Sequence, residues 1–282
     1  IGSICNAQVN AVTFGKNRVQ FKKFKWQYYQ SRNFNVYFNQ GGQELAKFVA
    51  QSAEKELPQI EVATEYSLQR RANIILYNEF AHMQQTNIGL QTDILKTGGT
   101  TKFVNNKMVV YFDANHANLK KQVRQGIAQI ITQNLLFGDD IGEVAGNQAL
   151  LDLPSWLTDG YIAYIGENWS TELDDDLKSE ILSGNYNKFS ALSFARPLLA
   201  GHSFWYFIEE KYKKENVTYF FYLARQYKNL NKASQQITKL KFKALLREFM
   251  EYQTDKYYQD IARRKSYPKG NYVEGFTISK RL

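Results

Sequence analysis

The chain is predicted to be an α+β protein, with a mainly β N-terminal part followed by a helical C-terminal part. Three observations predict this. Before residue 114, apolar residues alternate with a period of two in several short stretches. Beyond residue 115 they recur every three or four residues over long stretches. The composition, 44% hydrophobic and 22% charged over 282 residues, is that of a folded chain with enough material for a sizeable core.

The elements follow in order. Residues 17–40 carry strand-like alternation that ends in FNVYFNQGG, where Phe34, Val36 and Phe38 share one face and Gly41-Gly42 break the pattern. QELAKFVAQSAEKEL (43–57) has helical spacing at Leu45, Phe48, Val49, Ala53 and Leu57, and Pro58 is expected to stop the helix. ANIILYNEF (72–80) and KMVVYF (107–112) read as strands, with TGGTT (97–101) as a loop between them. A long helix over 115–137 buries Leu119, Val123, Ile127, Ile130, Ile131 and Leu135 and stops at Gly138. A helix over 153–166 follows, with Pro154 in its first turn. Further helices are expected at 174–183, 197–213, 216–227, 231–237 and 243–262, and the last twenty residues read as extended and linker-like.

Composition excludes several classes. No apolar run approaches the ~20 residues of a membrane-spanning helix. The formal net charge is +9, with local concentrations of Lys and Arg at 16–25, 211–214 and 239–247. No RNP, zinc-finger or glycine-rich phosphate motif accompanies them, so the expectation is no nucleic acid partner and a solvated basic surface. An anionic partner for these stretches is the functional alternative. Aromatics are abundant, with 19 Tyr and 19 Phe, and are read first as core packing.

The first residues, IGSICNA, end as a secretory signal peptide does. Cys5 and Ala7 put small residues at −3 and −1 of a cleavage site before Gln8, so residues 1–7 are taken as a signal-peptide remnant. A lipoprotein site at Cys5 fits less well, because Ile4 stands where a small residue is wanted. Cys5 is the only cysteine, so the exported chain would carry no disulfide.

The second helix of the C-terminal half holds the most specific motif. In LPSWLTDGYIAYIGENW (153–169), Trp156, Gly160, Ala163 and Tyr164 fall on a Trp-x-x-Glu-Gly-x-Ala-x-Tyr pattern, with Asp159 in place of the Glu. A later helix, LLAGHSFWYF, adds Gly201, Ser203, Phe204 and Phe207, with His202 at a position usually held by Gln. With the order of elements, this resembles the peptidase MA-like, or gluzincin, domains over roughly residues 30–262. The resemblance implies a zincin-like fold and a zinc held by His-Glu-x-x-His on the long helix and by the Glu of the second.

The residues standing in that place are Arg124-Gln125-Gly126-Ile127-Ala128. A catalytic zinc needs three protein ligands. Arg124 has no lone pair to give, Gln125 cannot act as a general base near neutral pH, and Ala128 has no donor atom. The only histidines, His82, His116 and His202, show no i, i+4 pair. Zinc is therefore expected to be lost, with no catalytic residues and no cofactor, and Arg124, Gln125, Ala128 and Asp159 become vestigial metal-site positions. An Arg124–Asp159 ion pair, replacing the metal between the two helices, is one expectation; a solvated Arg124 is the other.

Other chemistries lack their motifs. No Gly-x-Ser-x-Gly elbow is present, and ELDDDLKSE (172–180) lacks EF-hand spacing and reads as an acidic first helical turn. NWS and NVT fit the N-glycosylation pattern, which acts only in a eukaryotic secretory host.

Several segments, among them FNVYFNQGG, NIGLQTDILKTGGTTK and LPSWLTDGYIAYIGENW, narrow the likeness. They resemble the N-terminal domain of large exported TolB-like proteins of Bacteroidota, in which a peptidase-like domain precedes a β-propeller. That implies a β-rich subdomain over 8–114, a helical subdomain of the same unit over 115–262, and a linker over 263–282 toward a propeller. It also implies a periplasmic or outer-membrane-associated binding or scaffolding module. Its old cleft would be floored by helices 115–137 and 153–166 and edged by strand 107–112, with Trp156, Tyr164, Glu167 and His202 as cleft candidates. The expected partner is a cell-envelope protein, peptide or glycan. Two alternatives stand beside it: a metallohydrolase with a rearranged site built from Asp159, His202 and Glu167, and a basic anion-binding surface module.

Overall fold

The computed structural model describes residues 20–86, 106–138 and 153–263, together with two short strands, β1 (Thr13–Phe14) and β2 (Asn17–Arg18), that pair with each other. The signal-peptide remnant, the 97–101 loop and the linker beyond residue 263 lie outside these residues. The α+β class holds. A four-stranded sheet is built from β3 (Gln27–Gln30), β4 (Phe34–Phe38), β5 (Ala72–Tyr77) and β6 (Lys107–Tyr111), in that spatial order. β3 and β4 form an antiparallel hairpin, while β4–β5 and β5–β6 are parallel. Parallel neighbours need a crossover. α1 (Gln43–Thr64) provides it between β4 and β5.

The description "mainly β" for the N-terminal part needs correction, because α1 is 22 residues long against strands of 4 to 6. The helix does not stop at Pro58. A proline costs about 3 kcal/mol inside a helix. Beyond it, however, Ile60 and Thr64 are buried against the core, and this tertiary burial carries the helix through. Two short helices were also not anticipated. One is α2 (Phe80–Gln84), which ends the expected 72–80 strand early; the other is α6 (Phe189–Ala195).

The helical part consists of α3 (His116–Phe137), α4 (Ser155–Gly166), α5 (Thr171–Leu182), α6, α7 (Pro197–Tyr212), α8 (Glu215–Tyr227), α9 (Leu230–Thr238) and α10 (Phe242–Arg263). The six apolar positions read on the long helix are all buried. Asn115 caps α3 by accepting from the Ala117 and Asn118 amides, and Gly138 ends it at φ +88. Ser170 caps α5, whose first turn carries Glu172 and Asp174 as the acidic stretch implied. One hydrophobic core runs without interruption from Phe34 on β4 to Tyr257 on α10, so the sheet and the helices are one packed unit.

The two faces of the sheet differ. Phe34, Val36 and Phe38 point into the core with Ala72, Ile74 and Leu76. On the outer face the register aligns a polar row, Gln30–Asn35–Asn73–Lys107, beside an apolar row, Tyr28–Tyr37–Ile75–Val109. A small second core of Tyr77, Met83 and Val109, flanked by Phe24, Ile75, Phe80 and Tyr111, covers the Ile75–Val109 half of the apolar row.

Candidate functional site

Residues 124–128 of α3, the expected vestigial metal-site stretch, are taken up with packing. α3 turns four residues of this stretch toward four different neighbours. Arg124 bonds the carboxylate of Glu56 on α1, and its Nη1 also reaches Gln59 Oε1 at 3.1 Å. Lys120 Nζ, one turn earlier, lies 3.1 Å from the other Glu56 oxygen. Arg124 therefore braces α3 against α1 rather than against Asp159 on α4, and the expected Arg124–Asp159 pair is not the one formed. Glu56 is 4% exposed. Burial pushes its carboxyl pKa up, but the bonds and charges of Arg124 and Lys120 outweigh that, and the net shift is downward.

The other positions are equally occupied. Gln125 lies under Gly166 at the end of α4, where a Cβ would come within 2.7 Å of the Gln125 Cγ. Gly126 sits beneath Met108 of β6, whose Cβ would be 3.1 Å from an added methyl. Ala128 is fully buried in the core. None of these side chains is the imidazole, thiolate or carboxylate that zinc sites are built from.

The motif residues of α4 and α7 serve a helix crossing. A Cβ on Gly201 would lie 2.7 Å from the Gly160 Cα, with backbone on both sides, so only glycine permits this approach. Trp205 Nε1 donates to the Leu157 carbonyl at 2.8 Å across the same contact. Trp156, partly buried, packs among Phe189, Phe204 and Phe242, with ring centroids 4.6–6.2 Å away. Asp159 is half-buried one residue before Gly160.

Three of the cleft candidates do come together, where α3, α4 and α7 meet. Tyr164 donates to Glu209 Oε2 at 2.7 Å, and burial, with that bond, raises its pKa well above the phenol range. Glu167 accepts from Lys121 Nζ on α3 at 2.7 Å. His202, 2% exposed, lies edge-on to Trp169 (5.2 Å) and Tyr164 (6.4 Å), and its Nε2 has no hydrogen-bond partner. Burial pushes its pKa down to about 4, the Lys121 charge acts the same way, and a bond with the Glu167 main chain opposes both. His202 is thus a neutral imidazole at physiological pH.

The other histidines lie among different neighbours. His82 meets Lys22 Nζ at 3.0 Å, and His116 packs between Phe48 and Phe112. Among the described residues no three His, Cys, Asp or Glu side chains gather to hold a metal ion, so the cluster required by a rearranged hydrolytic site is not formed there.

The strand edging the expected cleft is partly closed. The Phe112 amide donates to Tyr77 on β5, so alternation turns the main-chain groups of Tyr111 away from the sheet. The Gln122 side chain occupies both: Oε1 accepts from the Tyr111 amide and Nε2 donates to its carbonyl, each at 3.0 Å. A peptide pairing with this edge would meet Gln122 at that point.

Sequence reading missed Glu56, Lys121, Trp169 and Glu209. Glu56 did carry a signal, since it falls on the buried stripe of Ala53, Leu57 and Ile60, where a carboxylate demands a cation. No protein-family model matches the chain, and a search of curated proteins finds no significant relative. No helix among the described residues is long and apolar enough to cross a membrane.

Proposed function

We propose that the chain is a non-catalytic, peptidase-like binding or scaffolding module of an exported, TolB-like cell-envelope protein. It holds a peptide, protein or glycan partner on the surface formed by α3, α4 and β6. The observation that carries this reading is the engagement of Arg124 with the buried Glu56. A cation locked into a core carboxylate stands where a ligand would be needed, and restoring a metal there would break that pair. Of the side chains gathered where α3, α4 and α7 meet, Tyr164 and Glu167 are held by neighbours in a way that suits a fixed recognition surface, with His202 buried next to them.

Zinc content by mass spectrometry tests the non-catalytic part, on protein purified without a metal-affinity tag and dialysed against excess Zn²⁺. Less than about a tenth of an equivalent is expected, because three ligands are missing. Stoichiometric, tightly held zinc together with peptide hydrolysis would overturn the reading.

A further inference from the structure

We propose that the outer face of the sheet is a second binding surface, for an acidic glycan. It lies on the opposite side of the sheet from the core and does not depend on the chain being peptidase-derived. Among the described residues, the uncovered part of this face is aromatic. Tyr28 is 58% exposed, and its ring lies 5.5 Å from that of Tyr37 on the neighbouring strand, tilted by 32°. The two tyrosines form an apolar plate across two strands, and Ile75, next in the same row, packs against the second core. Large exposed aromatics on a strand surface have a solvation cost that a ligand's apolar face would relieve.

The adjoining row supplies matched polar groups. Asn35 Nδ2 donates to Asn73 Oδ1 at 3.0 Å. That bond orients both amides and leaves the Asn35 oxygen as an acceptor and the Asn73 nitrogen as a donor at the surface. A ring with an apolar face and hydroxyls at its rim, a sugar, matches an aromatic plate bordered by amides.

Charge selects an acidic sugar. Lys107 holds the far end of the polar row. Arg71 stands at the near end, where its Nε and Nη2 lie 3.4 Å from the Arg32 carbonyl in the β3–β4 turn. None of the outward positions of β3 to β6 carries Asp or Glu. A second copy of the chain would bring two such cationic faces together, which like charge disfavours. Single-stranded nucleic acid wants a continuous track of cations along its phosphates, whereas here two cations bracket one short row.

Calorimetric titration of the intact chain with short oligogalacturonate, alginate oligosaccharide and chondroitin sulfate tests this. A neutral cello-oligosaccharide and oligothymidylate serve as comparators. At least one acidic glycan is expected to bind saturably and more weakly as salt rises. Tyr28→Ala and Lys107→Gln are each expected to reduce its affinity by about tenfold, the loss of one stacked ring or one close charge. Both side chains are exposed, so both variants should keep the native circular dichroism. The proposal is overturned if none of the three acidic glycans binds, or if the neutral sugar or oligothymidylate binds as tightly. Affinity unchanged in both variants would overturn it equally. Zinc content bears on none of these outcomes, so failure here is distinct from failure of the non-catalytic reading.

Discussion

A carboxylate as enclosed as Glu56 persists in a core only where cations meet it, since an unpaired buried charge costs several kcal/mol. Arg124 and Lys120 are those cations. Replacing Arg124 by Ala should lower stability by roughly 2 kcal/mol at pH 7, less than for a fully enclosed pair because Lys120 remains and Arg124 is itself partly exposed. The pH dependence has a definite sign. The folded pKa of Glu56 lies below its unfolded value, so its contribution is complete above the ordinary carboxylate range of about 4.3 and is lost as pH falls through the folded value. Chemical denaturation of the wild type and of Arg124→Ala should therefore give curves far apart at pH 7 that converge as the pH falls below the ordinary carboxylate range. A gap that stays constant over that range would mean that Arg124 acts by packing alone. At this scale the sequence was informative about what the residues cannot do: the side chains of Arg124 and Ala128 have no lone pair to give a metal in any fold. It was silent on where Arg124 points, because Glu56 is 68 positions away.

Elements were more legible than their contacts. The 3.6-residue stripes of α3 and the alternation of β4 depend only on neighbouring residues, so each buried face could be read directly. The run of α1 through Pro58 could not, because burial of Ile60 and Thr64, and not local propensity, carries it. The α4–α7 crossing lies between these cases. Gly160 and Gly201 stood out in the sequence as pieces of a peptidase motif, and their role in the structure is close backbone approach. Gly201→Ala should lower stability by about 3 kcal/mol and the melting temperature by roughly 5–10 °C, because the new methyl meets main chain that cannot yield. The exposed Ser179→Ala on α5 should stay within about 0.5 kcal/mol. Equal melting temperatures for the two variants, read by far-ultraviolet circular dichroism, would contradict the crossing as described.

For the whole molecule, the continuous core from β4 to α10 predicts one cooperative transition. Far- and near-ultraviolet dichroism should give coincident urea midpoints, and residues 115–263 alone should not fold, since α3 loses its contacts with α1 and β6. Two separated midpoints would mean that the sheet and the helices are independent units. By itself the sequence determined the class, the buried faces and the stop of the long helix at Gly138, because each follows from residue type and short-range spacing. Only the tertiary structure decided that Arg124 meets Glu56, that Gln122 closes β6 at Tyr111, and that Tyr28 and Tyr37 lie side by side on the outer face of the sheet. Those pairings join residues distant in the chain, where the outcome depends on which faces pack together and not on local periodicity.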